Sequence, residues 1–256
     1  KNFTKSREKK IGASEIPILI KHPEKYESLA GYGQTPVTLW QIKTGLKKKE
    51  EAGYEAHVGN ILEPLVLYEF IAKNDSEAIA RKTLQGYMAC EFDKSKDGYK
   101  TAAQTQHTKY LHHTEAANDF AVAHADCIQE EKKYFTIIEA KTAKYWSAKR
   151  RDDIYSGYDF NIEGHQGIPL RNYFQIQFQA AIYQEEYNKK IDDAWLVLLC
   201  DTSTYGQWHI RIDRRVQERL LELAHYMHRC IVKNIPPKEF AMNKTDIAIL
   251  YPKLDE

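Results

Sequence analysis

Apolar and polar positions follow two different periods along this chain, and the changes of period mark its elements. Between Phe120 and Lys141 the period is two. Phe120, Val122, His124, Asp126 and Ile128 share one side of an extended segment. After the charged run 129–133, Ile137, Glu139 and Lys141 share one side of a second segment. Strand side chains alternate in this way, so the stretch predicts a β-hairpin. The apolar run Ala194–Cys200 and the alternating run Trp208–Asp213 predict two more strands, joined by a turn at Thr202–Gly206. Ala80–Glu91 also reads as a strand.

Elsewhere apolar residues recur every three or four positions, as on one face of a helix. Ser14 follows the turn-permitting Gly12 and reads as the N-cap of a short helix carrying Ile16, Leu19 and Ile20. Thr35-Pro36 opens a second helix with Leu39, Trp40 and Ile42, which Gly45 closes. A third covers Ala56–Lys73, with Gly59, Glu63, Val66, Leu67 and Phe70 on one face; Pro64 either kinks it or marks a restart. Gly59 on that stripe lets the backbone come close to a neighbour. Leu170–Lys189 buries Phe174, Phe178, Ala181 and Ile182, with Gln175 and Gln179 beside them. Arg214–Asn234 turns Val216, Leu220, Leu223, Tyr226 and Met227 inward, and Pro236-Pro237 ends it. Two polar stretches stand between these elements. Asp93–Asn118 reads as an excursion or insertion whose His107, His112 and His113 are loop residues. Residues 142–168 form a connection. The mixture of helices and strands predicts an α/β fold, a central mixed sheet flanked by helices, in a single domain over 1–256 with its core at about 7–235 and an insertion at 93–118.

Composition removes some classes of function. The chain has 256 residues, enough to bury a large core, and 37 basic against 36 acidic side chains, so no global field favours nucleic acid. Binding of that kind would rest on local patches. The cysteines, Cys90, Cys127, Cys200 and Cys230, show no Cys-x-x-Cys spacing, which argues against a zinc ribbon and fits a reducing cytoplasm. No apolar run reaches the length of a membrane span.

The candidate chemistry sits in the hairpin. Asp126, Glu139 and Lys141 converge from adjacent strands among β-branched and aromatic residues, where a charge is costly unless it is paired or bound to a cation. One reading is a surface ion pair of Glu139 with Lys141. The other is a site for a hard cation such as Mg²⁺, which takes one or two carboxylates with water and substrate phosphate. Glu63, alone in an apolar helical stripe, is a third carboxylate of the same kind. The glutamines of the later helix can orient water or hold a phosphate. The cations and aromatics Lys144, Trp146, Lys149 and Arg150 suit phosphates and bases. A helix N-terminus beside Arg7 and Lys10 suits an anion.

In this order the blocks resemble the PD-(D/E)XK nuclease superfamily, and within it the phage λ exonuclease and YqaJ-type viral recombinase nucleases. The resemblance is carried by Ile11-Gly-Ala-Ser14-Glu15, Gly59-Asn-Ile-Leu-Glu63-Pro64, Ala125-Asp126-Cys-Ile, Ile138-Glu139-Ala-Lys141-Thr-Ala and Tyr173-Phe-Gln175-Ile-Gln177. Ala125 and Cys127 depart from the family's usual Pro and Gly around the Asp. The resemblance implies a restriction-endonuclease-like core and metal-dependent hydrolysis of DNA. On it, Asp126, Glu139 and the Ala140 carbonyl would hold one Mg²⁺, or Mn²⁺ in its place, and Glu63 with Asp126 would help hold a second. Lys141 and Gln175 would place the attacking water, and Arg7 and Ser14 would hold a terminal 5′-phosphate. It further implies 5′→3′ digestion of linear duplex ends in phage-type recombination, a single-strand annealing partner, a homo-oligomer and a bacterial or phage-infected cytoplasm. An endonuclease of the same superfamily and a non-catalytic DNA-binding module are the alternatives.

Overall fold

A computed structural model describes residues 8–22, 28–30, 33–50, 53–92, 109–143, 157–201 and 204–238. Its centre is a six-stranded mixed sheet. The predicted hairpin is present as β3 (Ala121–Glu130) and β4 (Phe135–Ala143), paired antiparallel. β5 (Asp193–Cys200) runs parallel to β4, and β6 (Thr204–Arg211) returns antiparallel along β5. β2 (Tyr110–Ala117) covers one edge of β3 along most of its length. The other edge is shared. β4 pairs with residues 127–130, and the short β1 (Ile11–Gly12) pairs in parallel with Ala121 and Val122. Among the described strands, residues 123–126 of β3 have no partner on that edge.

Helices cover both faces. α2 (Tyr54–Asn74) and α3 (Glu77–Phe92) pack on one, where Val66, Leu67, Phe70, Ile71 and Tyr87 meet Cys127, Ile138, Ala140 and Val197. On the other face lie α4 (Leu170–Tyr187), α5 (Arg214–Val232) and α1 (Pro36–Lys43), with a 3₁₀ helix at Ala13–Leu19. There Phe174, Phe178, Ile182, Leu220 and Met227 meet Ile128, Ile137, Leu196 and Leu198. α4 is buried almost all round from Asn172 to Tyr183, as expected of a helix sandwiched between a sheet and a further helix. Thr35 caps α1 by accepting from Thr38 N–H at 3.2 Å, and Gly45 follows the helix at φ +78°. α2 runs unbroken through the buried Pro64, so no restart occurs there. No described helix is long and apolar enough to cross a membrane.

The structure corrects five expectations. Ala80–Glu91 lies in helix α3, not a strand. Ala80, Thr83 and Tyr87 are buried at spacings of three and four, Ser76 Oγ accepts from Ile79 N–H at 3.3 Å, and Glu77 pairs with Arg81 one turn on. The short apolar run around Tyr87 was ambiguous in period, and the cap upstream decides it. The polar stretch before Phe120 includes β2, so His112 and His113 lie in a strand and not in a loop; the pairing that orders β2 comes wholly from β3. Ser14 is not an N-cap. It lies exposed inside the 3₁₀ helix, while Glu15 turns back to accept from Gly12 N–H at 2.8 Å. Tyr226 is 37% exposed rather than inward, its hydroxyl accepting from Lys238 N–H at 2.9 Å. β6 begins at Thr204, so Thr204–Gly206 is strand and not turn.

Removing the α3 cap tests this helix assignment. Ser76→Ala should cost about 1 kcal/mol, read as a lower urea midpoint at unchanged slope. A strand at this position would leave the midpoint where it is.

Candidate active site

The site lies where β3 and β4 part. Their ladder runs from Glu130–Phe135 to Cys127–Ile138; beyond it β4 follows β5, and β3 continues beside β2 toward β1. Parting strands expose backbone donors and acceptors that must find other partners. Ala140 N–H donates to Asp126 Oδ2 at 2.8 Å. Gln179 Nε2 donates to the His124 carbonyl at 2.7 Å. On the other edge of β3, toward β2, the Tyr183 hydroxyl accepts from Ala125 N–H at 3.1 Å and donates to the carbonyl of Thr114, the residue opposite Ala125. Three of these groups are side chains of the site itself or of α4.

The gap opens into a cavity of about 690 Å³. Its lining includes Ser14 beside β1, Glu63 of α2, His124 and Asp126 of β3, Glu139, Ala140 and Lys141 of β4, and Gln175 and Gln179 of α4. Thus Glu63, Asp126 and Glu139, distant in sequence and carried by both layers, face one space. Glu63 accepts from the buried Tyr87 hydroxyl of α3 at 3.0 Å. Gly59, one turn before Glu63, allows α2 to approach β4: a Cβ there would stand 3.1 Å from Thr142 Oγ1. This is the close approach expected of that glycine. Glu139 is 2% exposed. Its Oε1 accepts from Lys141 Nζ and from Gln175 Nε2, and its Oε2 accepts from Gln179 Nε2 at 2.8 Å.

Charge is poorly balanced here. Burial first, then the Glu139 and Glu63 charges, push the Asp126 carboxyl well above its ordinary range, against the opposing pull of Lys141 and the Ala140 N–H. Burial works against the Lys141 ammonium, but Glu139 and Asp126 outweigh it and hold its pKa above the usual lysine range. With all groups ionised, three carboxylates meet one ammonium around Asp126. Farther along the lining Glu15, Glu55, Lys43 and Lys49 add equal charge of both signs, so two negative charges remain in excess. The donors present are carboxylate and carbonyl oxygens. That set and that charge fit a hard divalent cation completed by water and substrate. Among the described residues no three His, Cys, Asp or Glu side chains stand together as a preformed metal centre would have them. The side chain of Glu139 is turned to its three donors.

The structure therefore brings together Glu63, Asp126, Glu139, Ala140, Lys141 and Gln175, with Ser14 exposed at the cavity's rim. Arg7, Lys144, Trp146, Lys149, Arg150 and His107 lie outside the described residues. The sequence already set Gln179 with Gln175 as glutamines able to orient water or hold a phosphate, and the structure places both against Glu139. Sequence reasoning assigned no role to three other residues. Tyr183 follows Gln179 at i+4, the signal that could have found it. Tyr87 was hidden by the strand assignment. His124, whose Nε2 lies 2.7 Å from Glu115 Oε2, shares the Asp126 face by alternation.

No family model and no curated protein matches the chain. Solved structures do. The chain is similar to the alkaline exonuclease from Laribacter hongkongensis, with a TM-score of 0.55 and 10% identity over 91% of this chain and 93% of that one. The same exonuclease in complex with dAMP matches with a TM-score of 0.51 and 12% identity over 90% and 91%. A phage-related exonuclease from Haemophilus somnus 129PT follows with a TM-score of 0.49, 13% identity and 88% and 96% coverage. At such identities the likeness is one of fold, and that fold is the helix-flanked mixed sheet the resemblance led us to expect.

The Tyr183 hydroxyl gives a direct test of how β2 is tied to β3 beside the site. Tyr183→Phe leaves the Ala125 N–H and the Thr114 carbonyl apart with an apolar ring edge between them. It should lower the unfolding free energy by about 1–3 kcal/mol in chemical denaturation. An unchanged value would mean that these backbone groups find each other without Tyr183.

Proposed function

We propose that this chain is a divalent-metal-dependent deoxyribonuclease that digests linear duplex DNA from an end, in the 5′→3′ direction, in a phage-type recombination setting. One observation carries the hydrolytic reading: Glu63, Asp126, Glu139 and Lys141 face a single cavity at the parting of two strands. The likeness of fold to an alkaline exonuclease supports an exonuclease over an endonuclease. Ser14 at the cavity rim supports capture of a terminal phosphate.

Asp126, Glu139 and the Ala140 carbonyl would hold one ion, and Glu63 with Asp126 would help hold a second. Bound there, a divalent cation supplies polarisation of the scissile phosphate and a lowered pKa for water. The chain does the rest. Lys141, kept protonated by its acidic neighbours, orients the attacking water and favours its deprotonated form. Gln175 shares Glu139 Oε1 with Lys141 and so places the ammonium. Gln179 ties Glu139 Oε2 to the β3 backbone, fixing the carboxylate relative to Asp126. The Ser14 hydroxyl receives the 5′-phosphate end.

The test is incubation of the protein with 5′-phosphorylated linear duplex and with covalently closed plasmid, each with and without Mg²⁺. The linear duplex should be degraded only with Mg²⁺ and the closed plasmid left intact; nicking of the plasmid would favour an endonuclease. Glu139→Gln should reduce turnover to background while DNA binding, read by anisotropy, persists. Gln175→Ala should reduce it about 10–100-fold. Cleavage by Glu139→Gln at the wild-type rate would falsify the mechanism.

Proton linkage makes a second prediction. Asp126 titrates above its unfolded range, so without a cation the fold loses stability as pH rises through that raised range. A cation requires the ionised carboxylate, so its binding releases a proton and tightens with pH. The rise in melting temperature produced by Mg²⁺ should therefore be larger at pH 8 than at pH 5.5. An equal rise at both would remove Asp126 from the ligand set.

A further inference from the structure

Glu139 is central to the proposed cation site and is also the most fully engaged carboxylate in the cavity. A carboxylate offers about four acceptor positions, and donors from Lys141, Gln175 and Gln179 already take three. Two of those donors are neutral amides, which an ion can tolerate beside it. The third is an ammonium on the same strand, in direct ion contact and 29% exposed. An ammonium and a divalent ion on one carboxylate oxygen repel each other at close range. In the structure Glu139 faces its three donors.

We propose that the Lys141 ammonium occupies the divalent cation's place on Glu139 and sets cation affinity by competing for that carboxylate. A cation held by Glu139 would take Oε1 from Lys141, freeing the ammonium to turn into the cavity that Glu63 and Asp126 line, where it could place an attacking water. One residue thereby keeps Glu139 neutralised before the ion arrives and is delivered to the reaction by its arrival. This inference rests on the nuclease reading above. It adds an order of events and a direction of effect on binding that the reading does not contain. The neutral Gln175 shares the same oxygen without adding a charge.

Titration calorimetry of the full chain with Mn²⁺ alone, without DNA, separates the possibilities. Lys141→Met should bind Mn²⁺ about tenfold or more tightly than wild type, because a close repelling charge is removed, although it cannot turn over. Lys190→Met, which removes an ammonium paired with Asp192 outside the cavity, should leave Mn²⁺ affinity unchanged. Mn²⁺ binding by Lys141→Met equal to or weaker than wild type would overturn the competition and leave the nuclease reading standing. If wild type binds no Mn²⁺ and cleaves no DNA, the nuclease reading itself falls. A second measurement needs no variant. Acetylation of Lys141 in the wild-type protein, followed by mass spectrometry, should be faster with Mn²⁺ present, because the amine leaves its carboxylate; an unchanged or slower rate would also overturn the proposal.

Discussion

The constraint on which this structure turns is the unpaired edge of β3. Where β4 leaves it, four residues lose their neighbours among the described strands before β1 restores pairing at Val122. An open edge inside a domain is tolerable only if every exposed N–H and carbonyl finds a partner. Here the partners come from Asp126, which accepts from Ala140 N–H of β4, and from Gln179 of α4, which donates to the His124 carbonyl of β3. The same side chains that close the backbone account also hold the carboxylates. Structure and candidate chemistry are therefore one set of hydrogen bonds, not two.

That arrangement is unfavourable in isolation. Three carboxylates facing one half-enclosed space repel, and a single ammonium does not balance them. The surrounding layers supply the compensation. α2 and α3 pack on one face of the sheet and α4 with α5 on the other, so the apolar cores on both sides fix the strands whose divergence creates the site. Tyr87 shows how closely the two are joined. It is buried in the α3 core, and its hydroxyl holds Glu63 at the cavity.

Much of this was legible in the residues, and the reasons differ from place to place. The alternation Ile137, Glu139, Lys141 put Glu139 on the face that α4 covers, where Gln175 and Gln179 meet it. In β3 the expected alternation breaks: Ala121, Ala123, Ala125 and also Ile128 meet the α4 core, while Cys127 meets α2, so Asp126 and Ile128 do not share a face. The spacing Gly59, Glu63, Val66, Leu67, Phe70 put Glu63 and the close-approach glycine on the inner side of α2. Periodic patterns of this sort state which face a side chain occupies. They do not state what faces it. Gln175 and Gln179 stood out as glutamines able to hold polar groups beside a core stripe. That Gln179 bridges Glu139 and the His124 carbonyl follows only from the parting of the strands. The polar segment containing β2 has no apolar alternation of its own, so only the edge of β3 makes it a strand. Tyr87 vanished when a short apolar run was read with the wrong period, although Ser76 and the Glu77–Arg81 pair carried the helical signal.

By itself the sequence determined the elements with strong periods, the acids and lysine on their inner faces, and hence the kind of chemistry that could occur. These are local properties, set by side-chain spacing and by the cost of burying a charge among apolar neighbours. The tertiary structure alone decided that β4 abandons β3 at Cys127, that β1 fills the far end of the vacated edge, and that Glu63 meets Asp126 and Glu139 across the gap. It also decided that Lys141 lies on Glu139. Contacts between residues far apart in the chain depend on how the layers stack, and no spacing along a single strand or helix encodes that.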